Sequence, residues 1–194
     1  MSGLKNPDSR IPDPLPSPDL LAGPLRIRPL TYKDEERVQL LASDAEIAST
    51  TLSFPHPYPP GAARAWIEKK LDTFAKGEEM ALAIEHESQY IGSVGFFFNR
   101  RDDAGELGYW IGTPYWGRGF ASLAATAMLR FGFEELNLHR IQAQVMMRNA
   151  GSARVLEKAG LRFEGLLRGS IKKNGVYEDV RMYALVAADW PPAR

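Results

Sequence analysis

The sequence predicts an α+β fold: one domain on a mostly antiparallel sheet, split where a strand-helix-strand crossover interrupts it. Three observations carry this. Stretches with apolar side chains at every second position outnumber stretches at helical spacing. Two of the alternating stretches flank Asn174-Gly175, the dipeptide that most strongly signals a tight hairpin. The chain has 194 residues, 44% of them apolar, which suits one domain with a real core and is short for two.

The elements follow in order. Residues 1–23 form a Pro-rich arm, with Pro7, Pro12, Pro14, Pro16 and Pro18 and few large apolar residues before Leu20. Proline blocks helix and ladder hydrogen bonds alike, so the arm is expected to be flexible, extended or disordered. A Pro-rich ligand for a partner groove is the other reading. The domain spans 24–190. Leu25, Ile27 and Pro29 alternate with Arg26 and Arg28, a first strand. Thr31 with Asp34 and Glu35 reads as a helix start, and Val38, Leu41 and Ala45 continue it at helical spacing. Four prolines within 53–61 exclude helix and central strand there. A second helix over 62–75 is expected to bury Ala65, Trp66 or Ile67, Leu71 and Phe74.

Met80, Leu82 and Ile84 then alternate, and a Glu87-Ser88-Gln89 turn leads into 91–98, a pair of antiparallel strands. A third strand covers 106–111. A Gly-containing loop, 114–119, opens a helix with Ala121, Ala124, Ala125, Met128 and Phe131 on one stripe. Ile141, Ala143, Val145 and Met147 alternate as a strand. A short helix over 152–159 stops at Gly160, a C-cap, and the Asn174-Gly175 hairpin closes the domain.

Composition excludes several function classes. The absence of cysteine removes a disulfide scaffold, a cysteine zinc site and a thiol nucleophile. Lys+Arg and Asp+Glu balance at 24 each, unlike a general nucleic-acid binder. No apolar run approaches the roughly 18 residues of a membrane span, and no N-terminal export signal is present, so a cytoplasmic protein is expected. The balance is uneven along the chain. Residues 136–175 carry Arg140, Arg148, Arg154, Lys158, Arg162, Arg168, Lys172 and Lys173 against Glu157 and Glu164. Such a face suits a multiply phosphorylated small molecule, or is simply solvated.

Three constellations bear on chemistry. In Trp116-Gly117-Arg118-Gly119-Phe120-Ala121, small residues at a helix N-terminus let backbone N–H groups approach an anion such as a pyrophosphate. The spacing is neither the Walker pattern nor G-x-G-x-x-G, and a tight turn into the helix is the alternative. Asn149-Ala150-Gly151-Ser152 opens the last helix, with Asn149 as N-cap and Ser152 as a polar first-turn residue. Glu106, at the start of its strand, points into a cleft or into solvent. His56, His86 and His139 lack metal-ligand spacing, and no G-x-S-x-G elbow accompanies the serines.

Together, Glu106-Leu107-Gly108-Tyr109-Trp110-Ile111, the Trp116–Ala121 loop and Asn149-x-x-Ser152 resemble the GNAT acetyltransferases, within them the RimJ/RimL-like branch of ribosomal-protein N-terminal acetyltransferases. The resemblance covers 24–190, including Glu157-Lys158-Ala159-Gly160 and Asn174-Gly175-Val176-Tyr177-Glu178-Asp179. It implies the GNAT fold with a V-shaped cleft, acetyl-CoA as donor and no metal. It implies that the backbone amides of Gly117, Arg118, Gly119, Phe120, Ala121 and Ser122 hold the pyrophosphate, with the Arg118 side chain near phosphate. Trp110, Ile111 and Gly112 would pair their backbone with the pantetheine, and the Asn149 side chain would reach it. Where many family members carry a tyrosine that protonates the leaving thiolate, this chain has Leu156. The branch instead points to Ser152 as acid or hydrogen-bond donor to the sulfur. With no cysteine for an acyl-enzyme, a neutral amine would attack directly. Amines are largely protonated near neutrality, so a base must take a proton; Glu106 is the candidate.

Three readings stay open: transfer to a protein or peptide N-terminal α-amine; transfer to a small amine such as a polyamine, amino acid or aminoglycoside; or no transfer, in an acyl-CoA-binding protein without turnover. The acceptor surface is expected from residues 54–60, the Trp66 helix and the Tyr177 strand, with Phe54, Tyr58 and Tyr177 as candidate contacts. Acidic candidates are scattered: Asp102, Asp103, Glu106, Glu178 and Asp179. Monomer and homodimer are both compatible with the sequence.

Overall fold

The computed structural model describes residues 9–51 and 54–191; residues 1–8 of the arm and Ser53 of the Pro-rich turn lie outside that range. The strands are β1 (Leu20–Ala22), β2 (Leu25–Pro29), β3 (Glu79–His86), β4 (Gln89–Asn99), β5 (Ala104–Ile111), β6 (Arg140–Met146), β7 (Arg162–Lys173) and β8 (Val176–Val186). The helices are α1 (Glu35–Ala42), α2 (Ala45–Thr50), α3 (Ala62–Ala75), α4 (Phe120–Glu134) and α5 (Ala150–Ala159). The strands form one sheet in the order β1-β2-β3-β4-β5-β6-β8-β7, antiparallel at every neighbour except β5 and β6. No helix among the described residues is long and apolar enough to cross a membrane.

Alternation along the strands buries both faces. Met80, Leu82 and Ile84 of β3 join Leu107 and Ile111 of β5, Ile141, Ala143 and Val145 of β6 and the apolar stripe of α4 in one core. On the opposite face Ala83, Tyr90 and Trp110 pack with Val38, Leu41, Ile47 and Ile67 of α1–α3 in a second. The parallel β5–β6 pairing is the feature that shapes the molecule. It joins only Ala104, Glu106 and the residue between them to residues 140–142. Beyond Glu106 the strands part, while β6 stays paired to β8 along its whole length. The sheet is therefore split into two leaves by a V-shaped gap.

The structure departs from the sequence reading in four places. The Pro-rich arm is extended, but it does not hang free where it is described. Ile11 and Leu15 are buried in the main core, Asp103 accepts from Ser9 Oγ and the Arg10 amide, and Arg100 holds the carbonyls of Ile11 and Pro12. Leu20–Ala22 then adds a strand that the sequence reading did not place. The helix begun at Thr31 ends at Ala42, and Ala45 starts a separate one. In α3, Ala65 is exposed; Ala63 and Ile67 are the buried residues.

The break between α1 and α2 has a clear cause. Asp44 Oδ1 accepts the Glu46 amide at 2.9 Å, capping α2. Its Oδ2 accepts Thr113 Oγ1 at 2.5 Å, tying α2 to the segment after β5. The Thr113 bond first, then the Glu46 amide, hold this carboxyl below its usual range. A depressed folded value contributes stability above the ordinary carboxyl range that is lost as pH falls through it. Asp44→Ala is expected to lower unfolding free energy by about 1 kcal/mol at neutral pH, by urea titration. The difference from the parent should shrink below about pH 4.

Candidate active site

Two cavities meet across the V-shaped gap. The larger, about 590 Å³, lies between β5, the loop after it, and the N-terminal ends of α4 and α5. The smaller, about 210 Å³, lies on the α3 face between β3, β4, β5 and β6. Thr50, Thr51, Tyr109, Trp110, Asn149 and Ser152 line both. Successive side chains of a strand point to opposite faces, so β5 presents Glu106 to the smaller cavity and Tyr109 toward α5.

The larger cavity has open backbone and basic side chains at one end. Gly117 and Gly119 adopt φ of 75° and 78°, a region glycine enters without strain, and a Cβ added at either would meet no protein atom within 4 Å. Both glycines therefore open onto the cavity rather than onto packed side chains. Gly119 is the N-cap of α4, whose first-turn amides have no partner within the helix. Arg148, Arg154 and Lys158 stand in the cavity wall. The sequence reading had noted them only as part of a basic stretch. Arg118, expected near phosphate, instead lies over the Tyr115 ring at 5.7 Å and lines neither cavity.

The backbone at the end of β5 also differs from expectation. The Gly112 amide donates to the Ile91 carbonyl at 2.9 Å, and the Ile111 carbonyl accepts Trp116 Nε1 at 2.5 Å. Antiparallel strands direct alternate residues outward, so Ile111 and Tyr109, rather than Gly112 and Trp110, turn their main chain to the gap. The Ile111 carbonyl is already engaged there. Trp110 contributes its side chain, buried against Phe54 with ring centroids 5.0 Å apart.

At the junction, Asn149 acts as the N-cap: its Oδ1 accepts the Ser152 amide at 3.0 Å, and its Nδ2 donates to the Thr50 carbonyl at 3.4 Å. Lys173 donates to the Thr51 carbonyl, so α5 and the β7–β8 hairpin together fasten the end of α2 beside both cavities. Ser152 Oγ lies 2.7 Å from Tyr109 Oη. Tyr109 was not among the candidate residues, because 43 positions separate it from its partner. Burial pushes its phenol up to about 12, so it stays protonated at any working pH and can serve only as a neutral donor or acceptor.

In the smaller cavity, Glu106 Oε2 faces Gln144 Nε2 at 3.5 Å across the gap. Phe54, Trp66 and Phe97 form apolar walls, and Lys70 and Glu79 stand beside them. Phe54 was a predicted contact and lines this cavity. Tyr58 does not: it is buried in the second core, edge-on to Phe54 at 5.7 Å. Tyr177 is exposed beneath the Lys172 ammonium and lines neither cavity. The other acidic candidates are occupied elsewhere. Asp102 accepts from Asn99, Asp103 holds the arm, Glu178 pairs with Arg148 at 2.7 Å, and Asp179 accepts the Gly169 amide. Among the described residues, no group of three or more His, Cys, Asp or Glu is placed to hold a metal ion.

Comparison with known proteins shows the family. The acetyltransferase (GNAT) domain family matches residues 24–162. The N-acetyltransferase YnaD of Bacillus subtilis is 31% identical over 171 residues, 86% of this chain and 95% of that protein. The [ribosomal protein uS5]-alanine N-acetyltransferase of Escherichia coli is 34% identical over 88 residues, 45% of each chain. Among solved structures, a GNAT-family acetyltransferase from Bacillus anthracis superposes with a TM-score of 0.79 at 27% identity, covering 88% of this chain and 99% of that one. RimL, the ribosomal L7/L12 α-N-protein acetyltransferase in complex with coenzyme A, shares the fold with a TM-score of 0.80 at 19% identity, over 86% and 96% of the two chains. The chain thus belongs to the GNAT acetyltransferases, N-acetyltransferases that draw on acetyl-CoA.

Proposed function

We propose that the chain acetylates the α-amine of a protein or peptide N-terminus, by direct transfer from acetyl-CoA. One observation carries this reading: two cavities on opposite faces of the sheet meet at Tyr109, Trp110, Asn149 and Ser152. A donor held in the larger cavity and an amine held in the smaller then face each other through the gap. The larger cavity fits the donor's character, having a volume typical of small-molecule sites, glycines that leave room for phosphate, and basic side chains along α5. In this reading the amides of residues 117–122, with Arg148, Arg154 and Lys158, hold the phosphates. Acetyl-CoA supplies an acyl thioester; the chain's own residues move protons and fix positions.

On the acceptor side, Glu106 takes the proton an amine must lose to become a nucleophile, with Gln144 orienting the carboxylate. On the donor side, the Ser152 hydroxyl donates to the sulfur that departs, while Tyr109 Oη holds that hydroxyl in place. The two proton transfers occur on opposite faces of β5, which keeps the base from quenching the acid. Phe54, Trp66 and Phe97 suit the first side chain of a peptide better than a strongly charged molecule. The naming of the E. coli relative as a ribosomal-protein alanine acetyltransferase supports the same choice. Residues 24–190 form the acetyltransferase domain in this reading.

The test is thiol release from acetyl-CoA across a panel of N-terminal peptides, amino acids, aminoglycosides and polyamines. Turnover should be fastest with peptides. Faster turnover with any small amine would overturn the assignment of the acceptor. A second experiment addresses the anion site. Gly119→Ala places a Cβ where no protein atom is met but where φ is 78°; the left-handed conformation costs about 1–2 kcal/mol for such a residue. Where the free loop relaxes out of that conformation, binding must restore it, so the Kd for acetyl-CoA, by calorimetry, should rise about tenfold, one decade corresponding to about 1.4 kcal/mol.

A further inference from the structure

One pair in the acceptor cavity has no part in the transfer itself. Lys70 of α3 and Glu79 of β3 are ion-paired in its wall, with side chains only 12% and 8% exposed. Thr73 Oγ1 donates to the second Glu79 oxygen at 3.3 Å. The Lys70 ammonium also lies over two rings, 5.0 Å from the Phe97 centroid and 5.7 Å from that of Trp66. Stability alone is a poor account of this arrangement, because a desolvated ion pair seldom outperforms apolar packing of the same size.

The sheet register supplies a better account. Glu79 lies directly opposite Phe97 on β4, and Phe97 directly opposite Glu106 on β5. Residues so paired share one face, and neighbouring strands are about 4.8 Å apart, so the two glutamates stand roughly 10 Å apart with an aromatic ring between them. Two carboxylates flanking a ring would recognise a molecule with two ammonium groups joined by an aliphatic chain. Lys70 occupies the second carboxylate and sets a cation in the path of any second ammonium.

We propose that Lys70 determines the acceptor class: by neutralising Glu79 it confines the site to acceptors with a single reacting amine and excludes polyamines. This rests on the smaller cavity being the acceptor site. Specificity of this kind is a difference between affinities, achieved by repelling the wrong partner as much as by attracting the right one.

Lys70→Met keeps the length and apolar contacts of the side chain and removes its charge, leaving Glu79 as an orphan carboxylate that a second ammonium can satisfy. Spermidine is the probe, with a monoamine of equal chain length as control. In Lys70→Met, the ratio of kcat/KM for spermidine to that for a peptide N-terminus should rise about tenfold or more over the parent, as expected for one desolvated charge contact. Spermidine should also raise the Tm of Lys70→Met more than the monoamine does, and should not do so for the parent. Both gains should vanish in Lys70→Met/Glu79→Gln. An unchanged ratio and an unchanged Tm response in folded Lys70→Met would overturn the proposal, as would gains that persist in the double variant. Efficient spermidine acetylation by the parent would overturn it equally. The Tm measurement needs no turnover, so it decides the role of Lys70 even if the parent releases no thiol with any amine, the result that would sink the acetylation reading itself.

Discussion

Glu106→Gln is expected to lower kcat by about 100-fold or more, the usual contribution of a positioned general base, while leaving the Kd for acetyl-CoA unchanged. The substitution is nearly isosteric and keeps an oxygen to face Gln144, so the position of β6 across the gap should hold. Only the capacity to accept a proton is removed. The requirement for that capacity comes from the acceptor. An α-amine has a pKa of about 8, so near neutrality it is mostly ammonium and must lose a proton before attack. A second proton is lost as the amide forms. In the parent, kcat/KM should fall below about pH 8 as the amine protonates, and this limb should persist in the variant because it belongs to the acceptor. An unchanged kcat from about pH 6 to pH 9 would remove Glu106 from the mechanism and leave it a solvated side chain at the edge of the gap.

What was legible in the sequence was whatever a short stretch determines by itself. Period-two alternation marked Met80, Leu82 and Ile84, and Ile141, Ala143 and Val145, as strand residues with one face in a core, and they are. Gly117 and Gly119 marked a turn into a helix, because glycines at alternate positions just before an Ala-rich stripe suit a sharp entry to a helix, the turn being one of the two uses that the sequence left open. Asn149 announced a cap, and its Oδ1 holds the Ser152 amide. The described part of the arm, from Ser9 onward, was misjudged as loose because proline content reports local propensity alone. Its order comes from Arg100 and Asp103, about ninety residues away. The family resemblance placed Arg118 near phosphate, yet its side chain follows the Tyr115 ring; the basic groups that reach the cavity come from α5 and the residues just before it. Lys70 and Glu79 gave no signal at all. Their meaning depends on a three-strand register that puts Glu79, Phe97 and Glu106 in one row.

Tyr109 and Ser152 give the second large effect, and their separation into β5 and α5 is why only one of them could be named beforehand. Ser152→Ala should lower kcat by about 100-fold, the lower end of what a positioned proton donor contributes, with a much smaller change in the KM for acetyl-CoA. The loss cannot be assigned to a damaged helix start, because the bond that caps α5 runs to the Ser152 backbone amide, which alanine retains. Tyr109→Phe removes the hydroxyl 2.7 Å from Ser152 Oγ and keeps the ring that packs against the main core. If Tyr109 acts by holding the serine hydroxyl toward the sulfur, its loss should lower kcat by a similar factor in the parent and have almost no effect in Ser152→Ala. The double variant should therefore be no slower than the worse single one, the non-additivity expected of groups that work as a unit. Additive losses would instead make Tyr109 an independent contact. Burial keeps the phenol at about 12, so removing it should shift kcat by the same factor throughout the neutral range; a loss that varied with pH there would mean that another titrating group, and not the orientation of Ser152, had been disturbed. An unchanged kcat in Ser152→Ala would reduce Ser152 to a first-turn residue of α5 and leave the departing sulfur to take its proton from solvent.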